Sequence, residues 1–429
     1  DSQSAEARWL LGKTYLDSND ILSAEKELQR ALRLGWSQDD VLPALAKSLL
    51  AQGKYAEVGE LVDRGLQPEA EATVLAAKSL AALARGENRK AGKLVNKALN
   101  KAPDSTDALL AKARILSTQG ELAETEIVLQ ELIALDPENA AAWSLRGDIN
   151  IELRQPKQAL NAYNTALAHD ANNHGALFKR ALLYLDAGNY EAAQLDGTEL
   201  LRIAPRSPGA NYVQGIIHFQ AAQYDAAITA LSAAEPASTQ FPLVLFLLSS
   251  AQLQAGNPDQ AALLAARFHA ISPDSIQGRK LLATIRLQQG KHRDVQNLLR
   301  PLLETNPDDV DALNLMANAL LRDGKTEEGI GLLSRVATLQ PDSAVAQVRL
   351  GASLLVEGKG DEAAQYIETA LELDPEFQQA DILLVMNHLR KQDYDAAIEA
   401  AQNYRRRNLT STTPLNLLGR VYQQADRQD

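Results

Sequence analysis

Apolar and polar positions follow helical spacing in segments of about 13 or 14 residues, and the segments come in pairs. Small residues recur at one phase, at Gly12, Ala46, Ser79, Ala113, Gly147, Ala181, Gly215, Ser249, Ala283, Ala317, Gly351 and Gly419, with Val385 the one large exception. From Ser79 to Gly419 every step is 34 residues. Seven residues after the small site stands Gly53, Gly86, Gly120, Gly188, Gly256, Gly290, Gly324 or Gly358, where a helix can stop in the left-handed conformation. Twelve after it stands Ala24, Ala91, Ala159, Ala193, Ala227, Ala261, Ala363 or Ala397. Prolines at a third phase, Pro103, Pro137, Pro205, Pro273, Pro307, Pro341 and Pro375, end the second helix of each pair.

Each unit therefore reads as helix, glycine turn, helix, proline turn. The units fall at 5–38, 39–71, 72–105, 106–139, 140–173, 174–207, 208–241, 242–275, 276–309, 310–343, 344–377 and 378–411, with a partial unit at 412–429. A lone pair cannot bury both apolar faces and must stack on its neighbours. The expectation is an all-α solenoid forming a single domain over 5–429. The last helix carries Leu417, Leu418, Gly419 and Tyr422 at repeat positions, so it reads as the start of another repeat rather than a cap, in a natural chain that continues.

These spacings resemble the tetratricopeptide repeat family. The unit 140–173 has Trp143, Gly147, Ala159, Tyr163 and Ala166 at the family's places, and 174–207 has Tyr184, Ala193 and Pro205. Departures are Gly65, Phe268 and Tyr404 for the late alanine, Val58 and Val295 for the middle one, and a second unit one residue short. The resemblance implies a right-handed superhelix in which the first helix of each pair lines a concave groove and the second lies outside.

Composition narrows the chemistry. Of 429 residues 70 are alanine and 5% aromatic, which suits helices packed closely on one another. Lys plus Arg is 43 against 55 Asp plus Glu, a net charge of −12 that opposes nucleic acid and anionic lipid. With no cysteine, thiolate metal sites and thiol nucleophiles are excluded. No apolar run reaches the roughly 18 residues of a membrane span. The six histidines, His169, His174, His218, His269, His292 and His388, show no zinc-motif spacing. Gly12-Lys13-Thr14 and Gly324-Lys325-Thr326 lack the earlier glycine of a phosphate loop, having Ala7 and Ala319 there. Arg405-Arg406-Arg407 falls in the last turn of an outer helix, where cations complement the dipole. No enzyme, metal or cofactor is expected.

Function then rests on the groove. In the family's register the fifth and ninth places of each first helix face it, running from Trp9 and Lys13 through Val348 and Ala352 to Asn416 and Arg420. Phe178, Leu182, Tyr212, Ile216, Phe219 and Phe246 would put large apolar groups on three successive inner helices, either as a patch for a peptide or protein partner or as buried contacts between helices. Lys280, Asn314 and Asn318 are the nearest approach to a carboxylate clamp, in the wrong order for chaperone-tail capture, while the asparagines suit an extended backbone.

The words at 311–325, 347–351 and 417–422 resemble the PrsT-like repeat lipoproteins of bacterial PEP-CTERM/exosortase systems. That resemblance implies a lipid anchor outside the sequence, a periplasmic or outer-membrane-attached place with cytoplasm as the alternative, and a role in exopolysaccharide-linked export. The reading is a protein-interaction scaffold. Its rivals are the targeting repeats of a larger enzyme such as a glycosyltransferase, and a peptide-sensing regulator.

Overall fold

A computed structural model describes residues 4–409 and 411–425. Among them every regular element is helical, and the chain is an α-solenoid of helix-turn-helix repeats. The contacts divide the chain into two compact units between Ile217 and His218.

The first unit holds α1 (Ala5–Asp17), α2 (Ile21–Arg33), α3 (Gln38–Ala51), α4 (Tyr55–Glu60), α5 (Pro68–Ala84), α6 (Asn88–Lys101), α7 (Thr106–Thr118), α8 (Leu122–Leu135), α9 (Ala140–Glu152), α10 (Pro156–His169), α11 (His174–Asp186) and α12 (Tyr190–Ile203). The division falls within α13 (Pro208–Gln220). The second unit holds α14 (Tyr224–Ala234), a 3-10 turn at Glu235–Ala237, α15 (Leu243–Gln254), α16 (Pro258–Ile271), α17 (Ile276–Gln288), α18 (His292–Thr305), α19 (Val310–Arg322), α20 (Thr326–Leu339), α21 (Ala344–Glu357), α22 (Gly360–Leu373), α23 (Gln378–Arg390), α24 (Tyr394–Arg407) and α25 (Thr413–Gln424).

Each phase of the repeat has a physical job. The alanines twelve after the small site, from Ala24 to Ala397, are all fully buried between paired helices. The small site itself faces the residue sixteen later on the second helix. A Cβ on Gly147 would stand 2.3 Å from the Tyr163 ring, and one on Gly12 or Gly351 would meet Leu28 or Ile367 at 2.7 Å. Val385, the exception, is buried in one core cluster with Ala401, sixteen residues on. Large and small have exchanged helices there, which conserves volume.

The turns obey the same frame. All eight phase-seven glycines have positive φ, and where glycine is missing Asn19, Arg154, Ala222 and Gln392 adopt φ between 56° and 61°. The frame imposes the left-handed turn whatever the residue, at about 1–2 kcal/mol for a side chain that opposes it. Before the prolines, residues such as Asp136, Asn306 and Asp374 leave the helix with φ near −130° (−136°, −129° and −138°), as the following ring demands.

Two outer helices fall short of the predicted length. In the second repeat α4 spans 6 residues with Gly59 in its last turn, and its continuation is interrupted by Gly65 at φ 80° and Pro68 at the start of α5. In the seventh, α14 ends at Ala234 because Pro236 tightens the chain into the 3-10 turn.

Candidate functional site: a groove on the inner helices of the second unit

Four successive inner helices, α15, α17, α19 and α21, line a groove of about 480 Å³. Its apolar part is Phe246, Leu281 and Leu315, all half-buried. Phe246 is fixed from beneath by Phe268, with ring centroids 5.6 Å apart, and Phe268 is the residue that replaced the repeat's late alanine. The departure in the outer helix thus props an aromatic ring of the inner one into the groove.

The polar part is built from cross-repeat contacts. Lys280 Nζ lies 2.8 Å from Asp309 Oδ1 and 3.1 Å from Asp311 Oδ2. Asp309 also caps α19, accepting the Ala312 amide at 3.0 Å. Burial works against both charges, but the hydrogen bonds and charges of the pair outweigh it. They hold the Lys280 ammonium above the usual lysine range and the Asp309 carboxyl below the usual carboxylate range. Asn314 donates to the Val310 carbonyl at 2.9 Å, and Arg349 donates to Asn314 Oδ1 at 3.2 Å. Gln277 and Asn318 are exposed and have no hydrogen-bond partner among the described residues.

Four of the residues singled out from the sequence, Phe246, Lys280, Asn314 and Asn318, are therefore brought together. Lys280 is not a free cation, since two carboxylates meet it. Arg349 is the groove cation that the register missed. It stands at the sixth place of its helix, while Val348 at the predicted fifth place is buried in the core at 1% exposure. Gln277 and Thr284 sit at the second and ninth places of α17 and were legible from the same register.

The remaining predicted residues lie elsewhere. Tyr212 is buried, and burial pushes its hydroxyl pKa up. Phe178 is half-buried against the cluster of Leu177, Leu200 and Ala210. Phe219 meets Tyr224 edge-on, with centroids 5.8 Å apart. Ile216 is half-buried. Leu182 lines a separate hollow of about 350 Å³ in the first unit with Asp148, Tyr163 and Lys179. There the fully buried Tyr163 donates its hydroxyl to Asp148 Oδ1 at 2.7 Å, while Lys179 Nζ sits 2.5 Å from Oδ2. Burial first, then the Asp148 charge and hydrogen bond, drive the Tyr163 pKa far up, so the hydroxyl stays a donor.

A third hollow of about 720 Å³ at α1, α3 and α5 is lined by Trp9, Lys13, Pro43 and Lys47, all at predicted groove places. Trp9 stacks on Trp36 at 5.6 Å, and the Lys13 ammonium lies 5.1 Å from its ring centre. Among the described residues no group of three or more His, Cys, Asp or Glu could hold a metal ion, and no helix is long and apolar enough to cross a membrane.

Tetratricopeptide repeat models match residues 5–34, 82–149, 145–208, 212–276, 252–319, 286–350 and 348–412. Together these spans take in most of the sequence, and the chain belongs to the tetratricopeptide repeat family. The cellulose synthase operon protein C of Xanthomonas axonopodis pv. citri (strain 306) is 25% identical over 287 residues, 63% of this chain and 17% of that protein. The chain thus matches less than a fifth of that relative's length. Among solved structures, a chain of the APC/C hetero-tetramer Cut9-Hcn1 is 12% identical with a TM-score of 0.47, over 97% of this chain and 96% of that one. PilF of Pseudomonas aeruginosa is 18% identical with a TM-score of 0.45, over 54% of this chain and 99% of that one.

Proposed function

We propose that the chain is a non-catalytic interaction scaffold whose second unit holds an extended peptide segment of a protein partner. The observation that carries this is the convergence of Phe246, Asn318 and Arg349 from three inner helices on one groove. Phe246, Leu281 and Leu315 offer apolar contact to a partner side chain. Gln277 and Asn318 supply donors and acceptors for its backbone, and Arg349 supplies a cation for an acidic side chain. Lys280 keeps the groove in shape, since its charge is spent on Asp309 and Asp311.

The narrower reading places this scaffold in bacterial envelope export linked to exopolysaccharide, of the PEP-CTERM kind, with a lipid anchor outside the sequence. The match to a cellulose synthase operon protein supports the polysaccharide link. Because that match takes in only 17% of the relative, it also favours a second reading, in which the repeats are the recognition part of a longer polysaccharide-handling protein.

Affinity capture from envelope and cytosol fractions tests both levels. The wild-type chain should retain a partner from the envelope fraction, and the Asn318→Ala, Arg349→Ala double variant should lose it. Retention undiminished by the double variant overturns the groove, and a partner drawn from cytosol alone overturns the envelope placement.

A further inference from the structure

A second kind of site lies in the first unit, on the outer-helix side, where the repeats 106–139 and 140–173 meet. The outer helices α8 and α10 and the face of α9 between them enclose a hollow of about 360 Å³. One wall is flat and amphipathic. It is made by the Trp143 indole, half-buried and tied down by its Nε1 donating to the Pro137 carbonyl at 2.8 Å. The Arg146 guanidinium lies 5.6 Å from the ring centre.

The hollow carries little net charge. Arg146 Nη2 meets Glu126 Oε1 at 2.5 Å, so the one cation and the one anion of the lining cancel. What remains is amide. Asn150, Gln155, Gln158 and Asn161 border the hollow, and among the described residues none of these four side chains has a hydrogen-bond partner. Each amide offers both donors and an acceptor.

We propose that this hollow binds a neutral, hydroxyl-rich saccharide segment, with one sugar face on the wall made by Trp143 and the Arg146 side chain over it, and its hydroxyls on Gln158, Asn161 and Asn150. The chemistry excludes the commoner alternatives. A phosphate or carboxylate ligand would need a cation left over, and Arg146 is already met by Glu126. An extended peptide would need a groove that continues along the stack, whereas this hollow ends at the two adjacent repeats that supply α8, α9 and α10. A sugar ring has an apolar face for the indole and a rim of groups that both donate and accept, which matches four free amides around one aromatic ring. The site shares no residue with the peptide groove of the second unit, and its test does not depend on that reading.

The probes are cellohexaose, chitohexaose and maltohexaose, titrated into the isotope-labelled chain and followed by NMR. The Trp143 indole signal is assigned with a Trp143→Phe variant. At least one hexasaccharide should shift that signal saturably. Gln158→Ala with Asn161→Ala, both exposed on α10, should weaken the binding at least about tenfold while leaving the thermal midpoint unchanged. Failure of all three sugars to shift Trp143 overturns the proposal, as does binding that the double variant leaves intact. A shift produced by a neutral decapeptide and by no sugar overturns it equally.

Discussion

The two inner-helix sites, one around Asp148 in the first unit and one around Lys280 in the second, use the same ion pair in opposite ways. In the first, Lys179 reaches back to Asp148, and the carboxylate is also held by the buried Tyr163 hydroxyl. Carboxylate, ammonium and phenol satisfy one another, and the rest of the lining is Ile151, Leu182 and Leu183 with two exposed carboxylates, Glu152 and Asp186. In the second, Lys280 reaches forward to Asp309 and Asp311, and no tyrosine is involved. Gln277 and Asn318 are left without partners, and Arg349 stands exposed at the rim. A lysine in a repeat groove is thus no sign of a ligand site by itself. What distinguishes the second groove is the kind of polar capacity left over once the ion pair is closed: two neutral amides and a cation, where the first hollow is left with carboxylates alone.

Tyr163→Ala breaks the first site most deeply. It removes a fully buried ring packed on Gly147 and the donor to Asp148, and should cost about 3–5 kcal/mol in chemical denaturation. The second site has no counterpart of that size, so its largest effect should come from the ion pair. Asp309→Asn keeps the helix cap but leaves Lys280 with only the exposed Asp311, and should cost about 2 kcal/mol at pH 7.

The sign of the pH dependence follows from the two shifted groups. The Asp309 contribution is present above the carboxylate's unfolded value, about 3.9, and is lost as pH falls through its lower folded value. The Lys280 contribution is present below about 10.4 and is lost as pH rises through its higher folded value. Denaturation of wild type and Asp309→Asn should therefore differ by a constant amount between about pH 5 and pH 9. The two should converge toward pH 2.

The smallest effect concerns the turns. The repeat holding Asp148 turns through Arg154 at φ 58°, whereas the repeat holding Lys280 turns through Gly290 at φ 70°. Arg154→Gly should stabilise the first by about 1 kcal/mol, and Gly290→Ala should destabilise the second by a similar amount. Equal and opposite shifts in thermal midpoint would check both.

Much of this was legible in the chain itself. The 34-residue frame locates the buried alanines, the small sites and the eight glycine turns, while the left-handed turns at Asn19, Arg154, Ala222 and Gln392 carry no glycine to mark them. It also placed Lys280, Asn314 and Asn318 on one side of the inner helices. Residue type hid the rest. Nothing in the pattern shows that Val348 goes into the core and leaves Arg349 at the groove: Gly351 keeps its place against Ile367, so α21 stays in frame, and Val348 is covered by packing in one cluster with Leu350 and Leu354. The apolar run from Phe178 to Phe246 reads as a patch in register. Yet Tyr212 is buried and Phe178 is committed to its neighbours, since alanine-rich helices approach closely enough to cover their own aromatics. The shortening of α4 was signalled only by Gly59, Gly65 and Pro68, which a frame-based reading treats as a loosened but complete helix.

The most direct test of the central claim is photo-crosslinking from single positions in the presence of the captured partner. A photoreactive residue at Asn318 in the groove is compared with one at Leu263, which is 62% exposed on the outer helix α16. Strong adduct formation at Asn318 with little at Leu263 is the predicted result. Equal yields at both, or adducts at Leu263 alone, would contradict it.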